Sequence, residues 1–157
     1  MSFIMKHATQ DCPHSCFAVS LGIIMGIAPE EARSRYHEQY YHGTASIRSV
    51  LTDAGLSYTA FMSDERNSIE TPGIYLCSVP SLNIVGGSHY IVIEVNSMED
   101  WQVLDPVKGR VDRKYYIADI PDKVVEPLAV MMGGGYNLEA SFKPEDVLEW
   151  RERNGVK

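Results

Sequence analysis

Residues 10–26 read QDCPHSCFAVSLGIIMG, and this stretch decides how the rest of the chain is interpreted. From Cys16 to Met25 it is apolar on nearly every side, and it stops at Gly26, which predicts a buried helix. Cys16 then stands at the start of that helix, where the positive end of the helix dipole favours a negatively charged thiolate. The stretch therefore predicts a core helix that presents a cysteine in its first turn.

Further helices and then strands are predicted beyond this segment. Pro and acidic residues favour a helix start, and a change to β-branched and aromatic residues favours strands. Helices are predicted to begin at Pro29, near Thr44 and at Lys143, and strands are predicted at 73–79, 89–95, 101–104, 115–117 and 128–132. Helices first and antiparallel strands second predict an α+β fold, in a single domain that covers residues 1–157.

A histidine and an aspartate stand at the ends of two of these predicted strands. His89 opens the strand 89–95, and Asp105 follows the strand 101–104, with a hairpin loop predicted at 96–100. An antiparallel hairpin brings the first residue of one strand beside the last of the other, so the carboxylate should reach the imidazole. Asp105 also precedes Pro106, which is typical of a turn former, and the two roles are compatible.

Gln10, Cys16, His89 and Asp105 together have the composition of a thiol acyl-transfer site. A thiolate attacks a carbonyl, a histidine moves the proton, and an acidic residue orients the imidazole. A side-chain amide upstream of the nucleophile is able to stabilise the oxyanion that forms.

Composition excludes some classes of protein. The chain has 157 residues with 21 acidic and 14 basic side chains, a net charge of −7, which argues against a non-specific nucleic-acid binder. No stretch approaches the ~20 apolar residues of a membrane span, and the first residues do not predict a secretory signal. Three cysteines at no disulfide-framework spacing favour a reducing, cytoplasmic setting.

The run SCFAVS at 15–20 resembles the Ser-Cys-Trp-Ala-Phe-Ser run of papain-like cysteine proteases. The resemblance is closer to the C39-like peptidases, a bacterial and phage branch of that superfamily. Their pattern of a Gln six residues before the Cys, a Gly about ten residues on and a Glu-Glu-apolar helix start is matched by Gln10, Cys16, Gly26 and residues 30–32.

Three later motifs of the same family are also matched, in the family's order. A helix that ends in a Leu-xx-Gly-apolar turn is matched by LTDAGL at 51–56, with one extra residue. A His-aromatic-Val-Val strand is matched by HYIV at 89–92, and an apolar-Asp-Pro-xx-Gly turn by LDPVKG at 104–109. The similarity spans roughly residues 8 to 110.

The resemblance implies a minimal papain-like fold, with N-terminal helices packed on an antiparallel sheet, and the activity of a cysteine peptidase or related thiol hydrolase. It implies Cys16 as nucleophile, His89 as general base and acid, Asp105 as the residue that orients the imidazole, and Gln10 as oxyanion donor. The expected partner is a peptide or protein substrate, without nucleic acid, membrane, metal or cofactor, and the oligomeric state is not predicted.

Several alternatives stay open on the sequence. Cys12 follows an acidic residue, as the family's nucleophile does, and is a rival to Cys16. The pattern Cys12-x-His14-x-Cys16 contains zinc-ligand residue types, although no second ligand pair follows. The same machinery serves transglutaminases and deamidases, and a papain-like binding protein without turnover is a further alternative.

Overall fold

The structure is a computed structural model, and it describes residues 2–61, 69, 71–133 and 135–156. Within these residues the elements are, in chain order, α1 (Cys16–Met25), α2 (Pro29–Tyr41), α3 (Ile47–Ala54), β1 (Thr59–Ala60), β2 (Gly73–Pro80), β3 (Ser88–Ser97), β4 (Asp100–Leu104), β5 (Tyr115–Ile117), β6 (Ala129–Met131), β7 (Asn137–Phe142) and α4 (Pro144–Arg153).

Helix α1 has the bounds that the sequence predicts. Every residue of the helix after Cys16 is buried, as expected from a segment that is apolar all round. Gly26 ends it with φ 74°, and its N–H donates to the Gly22 carbonyl oxygen at 2.8 Å. A side chain disfavours this left-handed conformation, so glycine is the residue that stops the helix here.

Five strands form one antiparallel sheet in the order β1-β7-β2-β3-β4. β2 pairs with β3 from Gly73 opposite Val95 to Pro80 opposite Ser88. The hairpin from β3 to β4 is tighter than predicted, because the pairing continues to Ser97 and Asp100. β5 and β6 pair with each other in parallel, so the expectation of antiparallel strands is wrong for these two.

Two strands of the main sheet, β1 and β7, are not predicted by the sequence pattern. β7 lies between β1 and β2, and it buries Leu138, Ala140 and Phe142 in alternation. Ala, Asn and Glu in this segment are poor strand formers, so its structure depends on its pairing with β2.

Helix α3 begins later than predicted because the Ser46 side chain caps it, accepting from the Ser49 N–H at 3.1 Å.

The N-terminal helices pack on the antiparallel sheet. Leu21 and Ile24 of α1 share one core cluster with Leu76 of β2, while Cys77 and Ile91 belong to a second cluster. The described chain is thus an α+β structure with 4 helices. None of those helices combines the length and the apolar character that crossing a bilayer requires.

Two charged side chains fasten the segment before α1 to the rest of the molecule. Glu94, buried in β3, accepts hydrogen bonds from the backbone N–H groups of Ile4 at 2.7 Å and Met5 at 3.0 Å. Arg151 of α4 donates to the carbonyl oxygens of Ile4 at 3.2 Å and Ile24 at 2.9 Å. These bonds fix where the chain enters α1, because they hold both the preceding segment and the last turn of the helix.

Candidate active site

Cys16 is the first residue of α1, and its side chain is half-buried. Ser15, the preceding residue, is fully buried, and its hydroxyl donates to the Cys12 carbonyl oxygen at 3.2 Å. The first N–H groups of an α-helix have no acceptor within the helix. The helix start therefore presents the Cys16 thiol together with a backbone N–H that can donate to an anionic oxygen.

His89 and Asp105 are in direct contact. The Asp105 Oδ1 atom lies 2.5 Å from His89 Nε2. Val92 pairs with Leu104, so extending that register by one step sets Asp105 opposite Ile91, which is two residues from His89. The two side chains are therefore diagonal neighbours across the hairpin, rather than directly opposed as the sequence argument assumes. The predicted contact is confirmed.

The Asp105 carboxylate is buried and held by the backbone. Its side chain is 0% exposed. Oδ1 accepts a hydrogen bond from the Val107 N–H at 3.0 Å, and Oδ2 accepts one from the Tyr116 N–H at 2.8 Å. The bond to Val107 closes the turn at Pro106, so Asp105 contacts the imidazole and shapes the turn at the same time.

The His89 ring is bound on both sides by groups that favour its charged form. Burial lowers the pKa of His89, but hydrogen bonds and negative charge from Asp105 and Cys16 together raise it to about 10. The bond to Asp105 uses Nε2, so Nδ1 is the nitrogen available to the thiol. At neutral pH the ring therefore carries a proton that it can give away.

Gln10 is buried beside the helix start. Its Nε2 atom donates to the Cys12 carbonyl oxygen at 2.8 Å, and its backbone N–H donates to the Pro106 carbonyl oxygen at 2.8 Å. A Cβ atom on Gly109 would lie 2.7 Å from Thr9 Oγ1, so glycine allows the turn after Asp105 to approach this segment closely. Nε2 has a second hydrogen, which is the donor that an oxyanion requires.

A cleft of about 170 Å³ brings the reactive groups together. Gln10, Cys16 and His89 all line it, while Asp105 lies buried behind the imidazole. A second cavity, of about 370 Å³, shares Ser81 and Ser88 with the cleft. The adjoining cavities leave room for a ligand that extends to one side of the thiol.

Two tyrosines and a phenylalanine pack beside Cys16. The hydroxyl groups of Tyr40 and Tyr90 share a hydrogen bond, and Phe17 stacks on Tyr40 with 4.0 Å between ring centroids. Burial is the main cause that raises the pKa of both tyrosines, and negative charge on Cys16 adds to it. Both hydroxyls therefore stay protonated and neutral beside the thiol.

The other two cysteines have different surroundings. Cys12 lies before α1 and does not line the cleft, although its carbonyl oxygen accepts from Gln10 and Ser15. Cys77 is fully buried in β2. No group of three His, Cys, Asp or Glu side chains able to hold a metal ion occurs in the part of the chain that the structure describes.

Arg110 and Arg113 also line the cleft, and they are not among the site residues predicted from the sequence. The run KGRVDRK at 108–114 was the available signal, since it concentrates basic residues in a chain of net charge −7. Its relation to Cys16 depends on the path of the chain after Asp105, which no local pattern specifies.

The geometry is thus a cysteine at a helix start, a histidine bonded to a buried aspartate, and an amide donor, in one cleft. Comparison with family models, curated proteins and solved structures finds no match to this chain.

Proposed function

We propose that the protein is a cysteine peptidase, or a closely related thiol hydrolase, that acts through an acyl-enzyme on Cys16. The observation that carries the proposal is the arrangement in one cleft of Gln10, Cys16 and a His89 that is bonded to Asp105 at 2.5 Å. The resemblance of residues 8 to 110 to C39-like peptidases supports the same activity.

A papain-like fold is part of this proposal. The nucleophile begins the first helix, the histidine lies near the start of β3, and the acid directly follows β4. Helices α1, α2 and α3 precede the strands of the main sheet, and α1 packs on it. This order supports a minimal member of that fold, with the cleft between the start of α1 and the end of the sheet that carries His89.

The first half of the reaction forms the acyl-enzyme. The Cys16 thiolate attacks the carbonyl carbon of the substrate, and the carbonyl π electrons move to oxygen. The backbone N–H of Cys16 and the free hydrogen of Gln10 Nε2 stabilise that oxyanion. The His89 imidazolium then protonates the leaving nitrogen as the carbon–nitrogen bond breaks, so neutral amine departs and neutral imidazole remains.

The second half returns the enzyme to its starting state. The neutral His89 ring removes a proton from water, and the resulting hydroxide attacks the thioester carbon. Collapse of this intermediate expels the Cys16 thiolate and releases the carboxylic acid. Asp105 fixes the orientation of the ring throughout, because the Val107 and Tyr116 N–H groups keep its carboxylate in place.

A peptide or protein is the substrate class that this chemistry implies. Cys12, Cys16 and Cys77 are all free thiols in the structure. We therefore also propose a reducing compartment, such as the cytoplasm, as the place where the enzyme acts.

The test uses the wild-type protein and Cys16→Ala side by side. Both are incubated with a tryptic digest of a cell lysate, with and without hydroxylamine, and the peptides are identified by mass spectrometry. We expect cleaved peptides from the wild-type protein alone, and hydroxamates in place of acids when hydroxylamine intercepts the thioester.

Other products would change the assignment. Conversion of a side-chain amide to an acid, without cleavage, would show a deamidase, and coupling of two peptides would show a transglutaminase. Identical peptide mixtures from the two proteins would contradict acyl transfer and favour a binding protein.

A further inference from the structure

The cleft carries positive charge that the proposed acyl transfer does not use. Arg110 and Arg113 line it together with Cys16 and His89. Arg113 is exposed, whereas Arg110 is half-buried and donates from Nη1 to the Gln10 carbonyl oxygen at 3.3 Å. The chain has a net charge of −7, so two guanidinium groups beside the thiol make the charge of this region locally positive.

Neither guanidinium group is neutralised by the described carboxylates. The Asp105 carboxylate is occupied by His89 and by two backbone N–H groups. Asp11, near Gln10 in sequence, pairs with Arg33 at 3.1 Å. Among the residues that the structure describes, no salt bridge joins Arg110 or Arg113 to an acidic side chain. The two arginines are therefore free to bind an anion that enters the cleft.

The chemistry of guanidinium indicates which anion. Its planar fork of N–H donors matches a carboxylate, with which it forms paired, charge-assisted hydrogen bonds. A peptide offers this group either as an Asp or Glu side chain or as its C-terminal α-carboxylate. We propose that Arg110 and Arg113 select substrates that carry a carboxylate close to the carbonyl attacked by Cys16. This inference rests on the proposed function, because it names the substrate class of the same site.

Two small reagents test the charge preference without knowledge of the natural substrate. Iodoacetate and iodoacetamide both transfer a methylene group to the thiolate and release iodide, but only iodoacetate carries a carboxylate. The readout is the ratio of their rate constants at Cys16, which cancels any change in the reactivity of the thiol itself.

Removal of the arginine charge should lower this ratio. We expect Arg113→Gln to reduce the iodoacetate-to-iodoacetamide ratio about two- to fivefold, and the double variant with Arg110→Gln to reduce it further. Salt at about 1 M should remove most of the difference between variants and wild type. The matched control is Arg153→Gln, which removes the same charge from α4, where Arg153 lies 3.7 Å from Glu149. It should keep the wild-type ratio.

Three acetylated tripeptides identify the source of the carboxylate through their protection of Cys16 from iodoacetamide. They are triglycine with a free C-terminus, triglycine amide, and Gly-Glu-Gly amide. If triglycine with a free C-terminus protects Cys16 better than triglycine amide does, the carboxylate is the peptide's α-carboxylate. If Gly-Glu-Gly amide protects better than triglycine amide does, the carboxylate is an acidic side chain. If neither peptide protects better than triglycine amide, the proposal is overturned.

The two proposals fail in different ways. Absence of iodoacetamide labelling at Cys16 in the wild-type protein would overturn the proposed function. Normal labelling, with a ratio that is unchanged in both Arg113→Gln and the double variant, would overturn the carboxylate preference and leave the thiol chemistry standing.

Discussion

Cys16 and Cys77 carry the same side chain in opposite surroundings. Cys16 begins a helix and lines a cleft together with His89. Cys77 lies in the middle of β2, where Ile91 and Leu138 are its partners on the neighbouring strands. Burial raises the pKa of the Cys77 thiol well above its ordinary range. The Cys16 side chain can therefore interact with a charged imidazole, while the Cys77 thiol is held in its neutral form.

The difference indicates that the reactivity of a cysteine thiol depends on the backbone element that carries it and on its neighbours, not on the residue type alone. A helix start offers unpaired N–H groups and a positive dipole end. The middle of a paired strand offers neither, because its backbone groups are already bonded to the adjacent strands. The same distinction separates reactive cysteines from structural ones generally.

The largest expected effect is the contrast in alkylation between these two thiols. At neutral pH, iodoacetamide should label Cys16 at least about 100-fold faster than Cys77, because only Cys16 is accessible and paired with an imidazole. Mass mapping of the first-labelled site measures this, and Cys12→Ser serves as the control for the third thiol. Faster labelling of Cys77 would contradict both its strand position and the mechanism.

The next effect isolates the contribution of the imidazole. His89→Gln should slow the labelling of Cys16 roughly ten- to a hundredfold, since the partner that stabilises the thiolate is lost. The matched control is His37→Gln, which replaces a histidine of α2 outside the cleft. Labelling of Cys16 at the wild-type rate in His89→Gln would show that the helix start alone activates the thiol.

The smallest effect on rate is expected at Asp105. The folded-state pKa of His89 is raised, to about 10, so its ring is charged at neutral pH and loses its proton only as the pH rises through that value. Asp105→Asn removes one cause of the rise, so NMR titration should show a lower His89 pKa, and Cys16 labelling should slow about two- to tenfold.

Asp105→Asn should also lower the free energy of unfolding. An amide cannot accept from His89, Val107 and Tyr116 as the carboxylate does, and a buried unsatisfied group costs about 1–3 kcal/mol. Urea unfolding measures the loss, with Asp119→Asn as an exposed control. If Asp105→Asn lowers the free energy of unfolding but leaves the His89 pKa unchanged, Asp105 acts only as a turn residue.

The helical part of the fold and the central hairpin were predictable because their patterns are strong and local. The buried run from Cys16 to Gly26 and the paired strands around His89 follow directly from composition and period. The strand β7 was not predictable, because Asn137, Glu139 and Ala140 have weak strand propensity. Pairing with β2 on one side and β1 on the other is what orders this segment.

The candidate site divides in the same way. Gln10, Cys16, His89 and Asp105 belong to short motifs with fixed spacing, so the sequence identifies them. The N–H of Tyr116 and the guanidinium of Arg113 reach the site through the irregular path of the chain after β4. This segment has no periodic hydrophobic pattern from which its path could be predicted. Tertiary contacts alone place such groups, and sequence patterns do not encode them.

The bonds made by Arg151 have a consequence for the order in which the protein is made. A ribosome that has just added Tyr116 has already synthesised Gln10, Cys16, His89 and Asp105, yet β7 and Arg151 are still to come. Until they emerge, β2 has β3 on one side but no strand on the other, and the carbonyl oxygens of Ile23 and Ile24 lack the donor that binds them in the finished fold. The growing chain therefore contains every candidate catalytic group some time before it contains the parts that hold them in place.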